Sequence, residues 1–199
     1  MINLLVATHN QNKLKEIKKI LKSFEDVNAM NYEDLSITPP IIVEDGKTFR
    51  QNSIKKAVTM SKFFKGLVIA DDSGLEVDAL QGKPGVRSAR FARKKATDKE
   101  NNEKLLKLVD TVPEQDRTAR FVCNLAIAKN GHLLDTFEGV VTGSIISKPR
   151  GKSGFGYDPL FIPQGKDKTF AEITQARKNA ISHRSLALKK LKKSFPKFV

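Results

Sequence analysis

Residues 117–146, RTARFVCNLAIAKNGHLLDTFEGVVTGSII, constrain this chain more than any other stretch. Two runs of alternating apolar and polar residues flank Asn130-Gly131, and that pair readily supplies the two positive φ angles of a type I′ turn. The pattern predicts a long β-hairpin, so the sheet has an antiparallel part.

The beginning of the chain reads differently. NLLVA (3–7) has the composition of a strand, and Leu14, Ile17, Leu21 and Phe24 fall on one helical face over 14–24. The six residues between them, THNQNK, form a strand-to-helix loop. A second amphipathic helix spans Phe49 to Phe64, closed by Gly66 as a C-cap and followed at once by the strand LVIA, 67–70. Leu75, Val77 and Ala79 alternate with Glu76 and Asp78 as in a half-buried strand. TDKE (97–100) has capping-box spacing and opens a helix through about Val109. A glycine-rich loop, PRGKSGFGYDP (149–159), precedes a last helix over about 180–194. Strand-helix units followed by a hairpin predict an α/β protein with a mixed central sheet and flanking helices.

The chain has 199 residues, a length that suits one domain over 1–199 with a core large enough for an enzyme. No stretch has the ~18 apolar residues of a membrane span, and MINLLVATHN lacks the basic start and long apolar centre of a signal peptide. A cytoplasmic protein is expected. The single cysteine, Cys123, excludes an intrachain disulfide and a cysteine-rich zinc site, and its apolar neighbours mark it as a core thiol. Lys and Arg exceed Asp and Glu by 14, which favours anionic partners without choosing among them. Much of that excess lies in KLKEIKKILK and KKLKKSFPK, where lysines between apolar residues form solvated helix faces.

Four places suit chemistry. In ATHNQNKLKE, a loop that opens a helix presents unpaired backbone N–H groups to an anion, with Thr8 and Asn10 as side-chain donors and Lys13 as a cation. It has no Walker glycines, and on its own it is equally an ordinary polar N-cap with Asn10 as the cap. In VEDGKTFRQNSIKKA, Glu44 and Asp45 precede a helix start near Thr48, and Asn52 and Lys56 share one face, lining a polar site or facing water. In LVIADDSG, an apolar strand runs into Asp71 and Asp72. Adjacent like charges are costly unless a cation, a shared proton or water offsets them. Successive strand side chains point to opposite faces, so one aspartate faces a site and the other supports it, with the chain turning at Ser73-Gly74. Carboxylate oxygens without nearby Cys or His suit Mg²⁺ or Mn²⁺. The fourth place is SGFGYDP with KNAISHR, where Phe155 between glycines suits base stacking and Lys178, His183 and Arg184 lie within two helical turns.

Taken together, these segments resemble the inosine triphosphate pyrophosphatase family, which hydrolyses non-standard purine nucleoside triphosphates such as ITP, dITP and XTP. The family's Thr-x-Asn-x-x-Lys loop appears as Thr8, Asn10 and Lys13, and its acidic helix-entry motif as EDGKTFRQNSIKKA. Its carboxylate strand appears as ADDSGLEVDAL, the following turn as GKPGVRSARFA, and its base-side motifs as FGYDPLF and KNAISHR. The matches run in family order from residue 7 to 184; Gln51 stands where glutamate is usual and Ser53 where alanine is.

The resemblance implies a curved mixed sheet in two lobes around a nucleotide cleft, a homodimer, and Mg²⁺-dependent cleavage between the α and β phosphates. It implies that Thr8, His9, Asn10, Gln11, Asn12 and Lys13 bind the triphosphate, that Glu44 and Asp72 hold the metal, and that Asp72 is the proton acceptor. Asn52, Lys56, Ser73, Phe155, Gly156, Tyr157, Asp158, Lys178, His183 and Arg184 fall on substrate-binding positions. The rival readings are a Maf-like nucleotide pyrophosphatase of other specificity and a basic nucleic-acid-binding protein. The first is disfavoured by SHR and FGYD; the second leaves the acidic cluster unexplained. No membrane partner and no stable nucleic-acid partner are expected.

Overall fold

The computed structural model describes residues 1–199. Its sheet has six strands in the order β2-β1-β3-β4-β5-β6, formed by β1 (Ile2–Val6), β2 (Val27–Met30), β3 (Leu67–Val77), β4 (Thr118–Lys129), β5 (His132–Ile145) and β6 (Phe161–Pro163). β1 pairs in parallel with β2 and with β3, whereas β5 and β6 are antiparallel, so the sheet is mixed. The helices are α1 (Gln11–Leu21), α2 (Phe49–Met60), α3 (Asp98–Val109), α4 (Gln175–Ile181) and α5 (His183–Ser194). Asn130 and Gly131 join β4 to β5 with φ of 52° and 81°, as a type I′ turn requires. No helix is long and apolar enough to cross a membrane.

The chain divides into two compact units, and the division runs through β3, β4 and β5. The first comprises Met1–Asp72, Cys123–Gly139 and Arg184–Val199. Strand periodicity gives this unit two apolar faces. On one, Leu4 and Val6, Leu67 and Ile69, and Cys123, Leu125 and Ile127 pack with residues of α1 and α5, including Leu14, Ile17, Leu21, Leu188 and Leu191. On the other, Leu5 and Ala7, Val68 and Ala70, and Ala126 and Ala128 pack against Ala57 and Met60 of α2. The lysines that alternate with these apolar residues, among them Lys15, Lys19, Lys189, Lys190, Lys192 and Lys193, are exposed. The second unit, Ser73–Val122 with Val140–His183, has its own core around Leu75, Val77, Leu105, Phe121, Phe161 and Phe170.

Several boundaries depart from the sequence expectation. α2 stops at Met60 with Ser61 as its C-cap in ordinary helical conformation, so Gly66 lies in the bend just before β3 and does not cap the helix. β3 runs through Ser73 and Gly74 with no turn. A Cβ on Gly74 would collide with Oγ of Ser88, so this glycine admits a neighbouring segment rather than bending the chain. Ser88 Oγ takes the Leu75 N–H there at 2.9 Å. Ala79 lies past the strand, in a 3₁₀ turn at Asp78–Leu80. The single C-terminal helix expected from about residue 180 is two helices, because Ser182 is extended at φ −70° and ψ 155° and breaks the run.

Cys123 is buried in the first core, and burial together with the Asp71 charge lifts its thiol from 9.0 up to about 12. The native protein should therefore leave Cys123 unreactive toward an aromatic disulfide reagent at pH 8 and expose one reactive thiol on denaturation. Because the folded pKa is raised, the stability linked to this proton is complete below about pH 9 and lost as pH climbs toward 12. A denaturant midpoint that stayed flat across that window relative to Cys123→Ala would contradict the assignment.

Candidate active site

The loop from β1 to α1 ends on Asn10, whose side chain accepts the N–H groups of Asn12 and Lys13 at 3.0 Å each. This is an N-cap, and it leaves His9, Asn10, Gln11 and Asn12 exposed at the helix N-terminus, with Thr8 and Lys13 half-buried. Thr8 Oγ1 accepts the Asn10 N–H at 3.2 Å, and His9 rests on the Tyr32 ring at 4.5 Å between centroids.

Asp71 and Asp72 continue the alternation of β3, so each joins a different face. Asp71 follows Leu67 and Ile69 toward α1 and α5, where its Oδ2 lies 3.2 Å from Lys13 Nζ and 3.3 Å from Arg184 Nε. The Arg184 Nη1 donates to Oε2 of Glu16, which is 4% exposed; Arg184 itself is 1% exposed. Burial works against the guanidinium charge, but Asp71 and Glu16 more than offset it and raise the pKa. Asp72 follows Val68 and Ala70 toward α2. Its Oδ2 accepts from Asn52 Nδ2 at 2.9 Å, and its Oδ1 is 3.9 Å from Lys56 Nζ. Lys56 also donates to Glu44 Oε2 at 3.0 Å and to the Asp71 carbonyl at 2.7 Å.

The segment carrying Glu44 is tied to the same helix. Asn52 Oδ1 accepts the Gly46 N–H at 2.8 Å, and Gln51 Oε1 accepts the N–H of Lys47 at 2.8 Å and of Thr48 at 3.2 Å. Thr48 completes a capping box with Gln51, so glutamine at this position serves the helix start as glutamate would. Asp45 is exposed and pairs with Lys55.

Glu44 and Asp72 thus share one ammonium on the α2 face. No group of three or more His, Cys, Asp or Glu side chains is placed to hold a metal ion by itself. Two carboxylates without nitrogen or sulfur donors still fit Mg²⁺, which keeps several waters and binds through one or two carboxylates plus substrate phosphates. Burial raises the Asp72 pKa above the usual carboxylate value, against the lowering effect of Lys56, Lys13 and Asn52. A divalent cation would oppose that effect of burial.

The second unit builds a separate cluster. A Cβ on Gly154, at φ +79°, would collide with the Asp158 carboxylate, so glycine lets the loop fold over that side chain. Asp158 Oδ2 accepts the Phe155 N–H at 2.9 Å and pairs with Lys178 Nζ at 2.5 Å. Lys178 is 2% exposed, and its ammonium also lies 4.6 Å from the Phe155 ring centroid. Tyr157 is buried and donates its hydroxyl to the Ser88 carbonyl at 2.8 Å. His183, also buried, stacks on Phe121 at 4.8 Å and 9°. Phe155, Gly156 and Ser73 are half-buried.

The profile of the Ham1 family matches residues 4–194. The chain belongs to the Ham1 family. This Ham1-family chain is 48% identical over 193 residues to the dITP/XTP pyrophosphatase of Oceanobacillus iheyensis, covering 97% of this chain and 98% of the relative. Against the dITP/XTP pyrophosphatase of Bacillus subtilis the identity is 47% over 189 residues, covering 95% and 94%. Among solved structures, a HAM1 protein from Coxiella burnetii aligns with a TM-score of 0.88 at 38% identity over 99% of this chain and all of that one. The Staphylococcus aureus Ham1 protein aligns with a TM-score of 0.86 at 37% identity, covering 98% of each.

Of the site residues picked from the sequence of this Ham1-family chain, the structure gathers Lys13, Asp71 and Arg184 on one face of the first unit and Glu44, Asn52, Lys56 and Asp72 on the other. Phe155, Asp158 and Lys178 form the cluster of the second unit. Asn52, Lys56, Lys178 and Arg184 commit their polar groups to protein partners and are buried. Glu16 was missed, because a lone acid among lysines reads as part of a solvated face. The available signal was its place one residue before Ile17, at the edge of the apolar stripe. Removing one partner of a buried ion pair leaves an uncompensated charge at a cost of about 3 to 5 kcal/mol. Glu16→Ala is expected to lower unfolding stability by about that amount in chemical denaturation, and a change under ~0.5 kcal/mol would show the pair to be unimportant.

Proposed function

We propose that the chain is a nucleoside triphosphate pyrophosphatase that hydrolyses non-standard purine nucleotides, among them dITP, ITP and XTP, to the nucleoside monophosphate and pyrophosphate. The observation that carries this reading is the pairing of Glu44 and Asp72 on the Lys56 ammonium, in a chain nearly half identical from end to end to named dITP/XTP pyrophosphatases.

The loop and first turn of α1, Thr8 to Lys13, bind the triphosphate through backbone N–H groups, the side chains of Thr8, His9, Asn10, Gln11 and Asn12, and the Lys13 ammonium. Glu44 and Asp72 hold Mg²⁺, which when bound neutralises phosphate charge and acidifies water. Asp72 accepts the proton of the water that attacks the α phosphorus in line; the bond from that phosphorus to the bridging oxygen breaks and pyrophosphate leaves. Lys13 stabilises charge on the departing group, and Asp71 holds Lys13 for that task. Asn52 works through Asp72, fixing the orientation of its carboxylate, and Lys56 keeps Glu44 beside it.

Phe155 and Gly156 take the base, with Ser73, Tyr157, Asp158, Lys178, His183 and Arg184 supplying or bracing its contacts. Hypoxanthine and xanthine carry a keto oxygen where adenine carries an amino group, so hydrogen-bond donors accept the former and reject the latter. All of residues 1–199 serve as one pyrophosphatase domain, working in the cytoplasm as a homodimer at twice the 22.2 kDa chain mass in light scattering.

A pyrophosphate-release assay over dITP, XTP, dGTP and dATP with Mg²⁺ tests the reading. The expected kcat/KM for dITP and XTP exceeds that for dATP by about 10² or more, and chelation of the metal abolishes turnover. Equal turnover of all four nucleotides would overturn the specificity. Asp72→Asn is expected to lower kcat by about 10² to 10⁴ with the fold intact by circular dichroism, and near-normal turnover would remove Asp72 as the base.

A further inference from the structure

Helix α3 presents two polar side chains one turn apart, Asp98 and Asn102, and both engage the same residue of the glycine-rich loop. Asp98 Oδ2 accepts the Gly156 N–H at 2.7 Å, and Asn102 Nδ2 donates to the Gly156 carbonyl at 3.0 Å. Positions i and i+4 lie on one helix face, so the pair clasps the donor and the acceptor of one residue together. Gly156 sits at φ +63°, and an unconstrained glycine visits many backbone conformations at little cost; the clasp selects one.

The helix that provides the clasp is itself fixed. Leu105 and Val109 are buried in the second core, Thr97 and Glu100 close a capping box, and Asn101 Oδ1 accepts the Ala92 N–H at 2.9 Å. On the loop side, Tyr157 and Asp158 are buried, whereas Phe155 and Gly156 are only half-buried and border a groove of ≈ 380 Å³ also lined by Asp98, Asn102, Leu106 and Pro159. Within Phe155–Asp158, the less buried pair is therefore the one that α3 holds. Phe155 is braced from the other direction by Asp158, whose carboxylate accepts its N–H and whose own N–H donates to its carbonyl at 3.3 Å, and by Lys178 over its ring; the clasp adds a hold on Gly156 at the other end of that peptide.

We propose that Asp98 and Asn102 are positioning residues for purine recognition, setting the placement of Phe155 and Gly156 from outside the base contacts. The proposal rests on the reading of this loop as the base side of the site. It separates base affinity from the chemical step, because neither residue belongs to the carboxylate cluster that carries the reaction.

The test is steady-state kinetics of Asp98→Ala and Asn102→Ala with dITP and dGTP, beside amide hydrogen exchange at Gly156. Losing one hydrogen bond of ordinary strength corresponds to about a tenfold change in an equilibrium constant. Each variant is expected to raise KM for dITP about tenfold, leave kcat within about twofold and narrow the preference for dITP over dGTP. Gly156 exchange should quicken in Asp98→Ala. Asp98→Asn keeps an acceptor for the Gly156 N–H and should restore KM and slow exchange, which a merely stabilising acid at a helix start would not do. Variants that lose thermal stability while KM and nucleotide preference stay at wild-type values would overturn this inference and leave the proposed function standing. A wild-type protein that releases no pyrophosphate from any purine triphosphate would overturn both.

Discussion

Two adjacent carboxylates on a strand whose two faces are both covered force a division that organises the first unit. Pleating sends Asp71 toward α1 and α5 and Asp72 toward α2, so neither can neutralise or screen the other. Each has its own hydrogen-bonding or ion-pair partners, and those partners tie down the helices that carry them, although the Lys13 charge is felt by both carboxylates. Lys13 and Arg184 reach Asp71 from two helices far apart in sequence, while Asn52 and Lys56 reach Asp72 from one turn of a single helix. The N-terminal loop, α5 and the Glu44 segment are each tied, directly or through one partner, to one of those two charges, alongside the apolar packing of α1 and α5.

The two faces are electrostatically different. Around Asp71, two cations, buried Arg184 and half-buried Lys13, meet two buried carboxylates, Asp71 and Glu16. A buried balanced network gives little net stability compared with apolar packing, but it is unforgiving of losing one member. Around Asp72, the Lys56 ammonium is within reach of two carboxylates, with the Lys13 charge also acting on Asp72, and Glu44 is only half-buried. The first face matches its charges one to one, and the second leaves a carboxylate partly open to solvent. The second unit repeats the one-to-one matching with Asp158, Lys178 and the Phe155 ring, where one carboxylate binds both a backbone N–H and an ammonium.

The chain's net charge of +14 stands apart from these clusters. The lysines of α1 and α5 that produce much of it alternate with core residues and face outward, whereas Lys13, Lys56, Lys178 and Arg184 are drawn inward by specific carboxylates. Charge count and charge function therefore separate cleanly: the exposed lysines follow helical periodicity, and the inward ones follow the positions of Asp71, Asp72, Glu44, Glu16 and Asp158.

Local physics made much of the protein legible from its sequence. The Asn130-Gly131 turn, the Asn10 cap, the Thr97 capping box and the α1 and α2 stripes depend on residues within a few positions of each other, and the mixed sheet follows from them. The alternation of β3 already implied that Asp71 and Asp72 part company. Only the tertiary structure decided what each meets, since the partners of Asp71 come from residues 13 and 184 and no local pattern links them. Glu16 was hidden for the same reason: its burial depends on an arginine 168 residues away. The glycine after Ser73 looked like a turn because composition cannot distinguish a bend from a close approach, and Ser88, which makes it the latter, lies fourteen residues on. Asp98 sits in the Thr97–Glu100 helix-start signal and Asn102 carried no signal of its own, and the use of both appears only where the fold lays the Gly156 backbone against them.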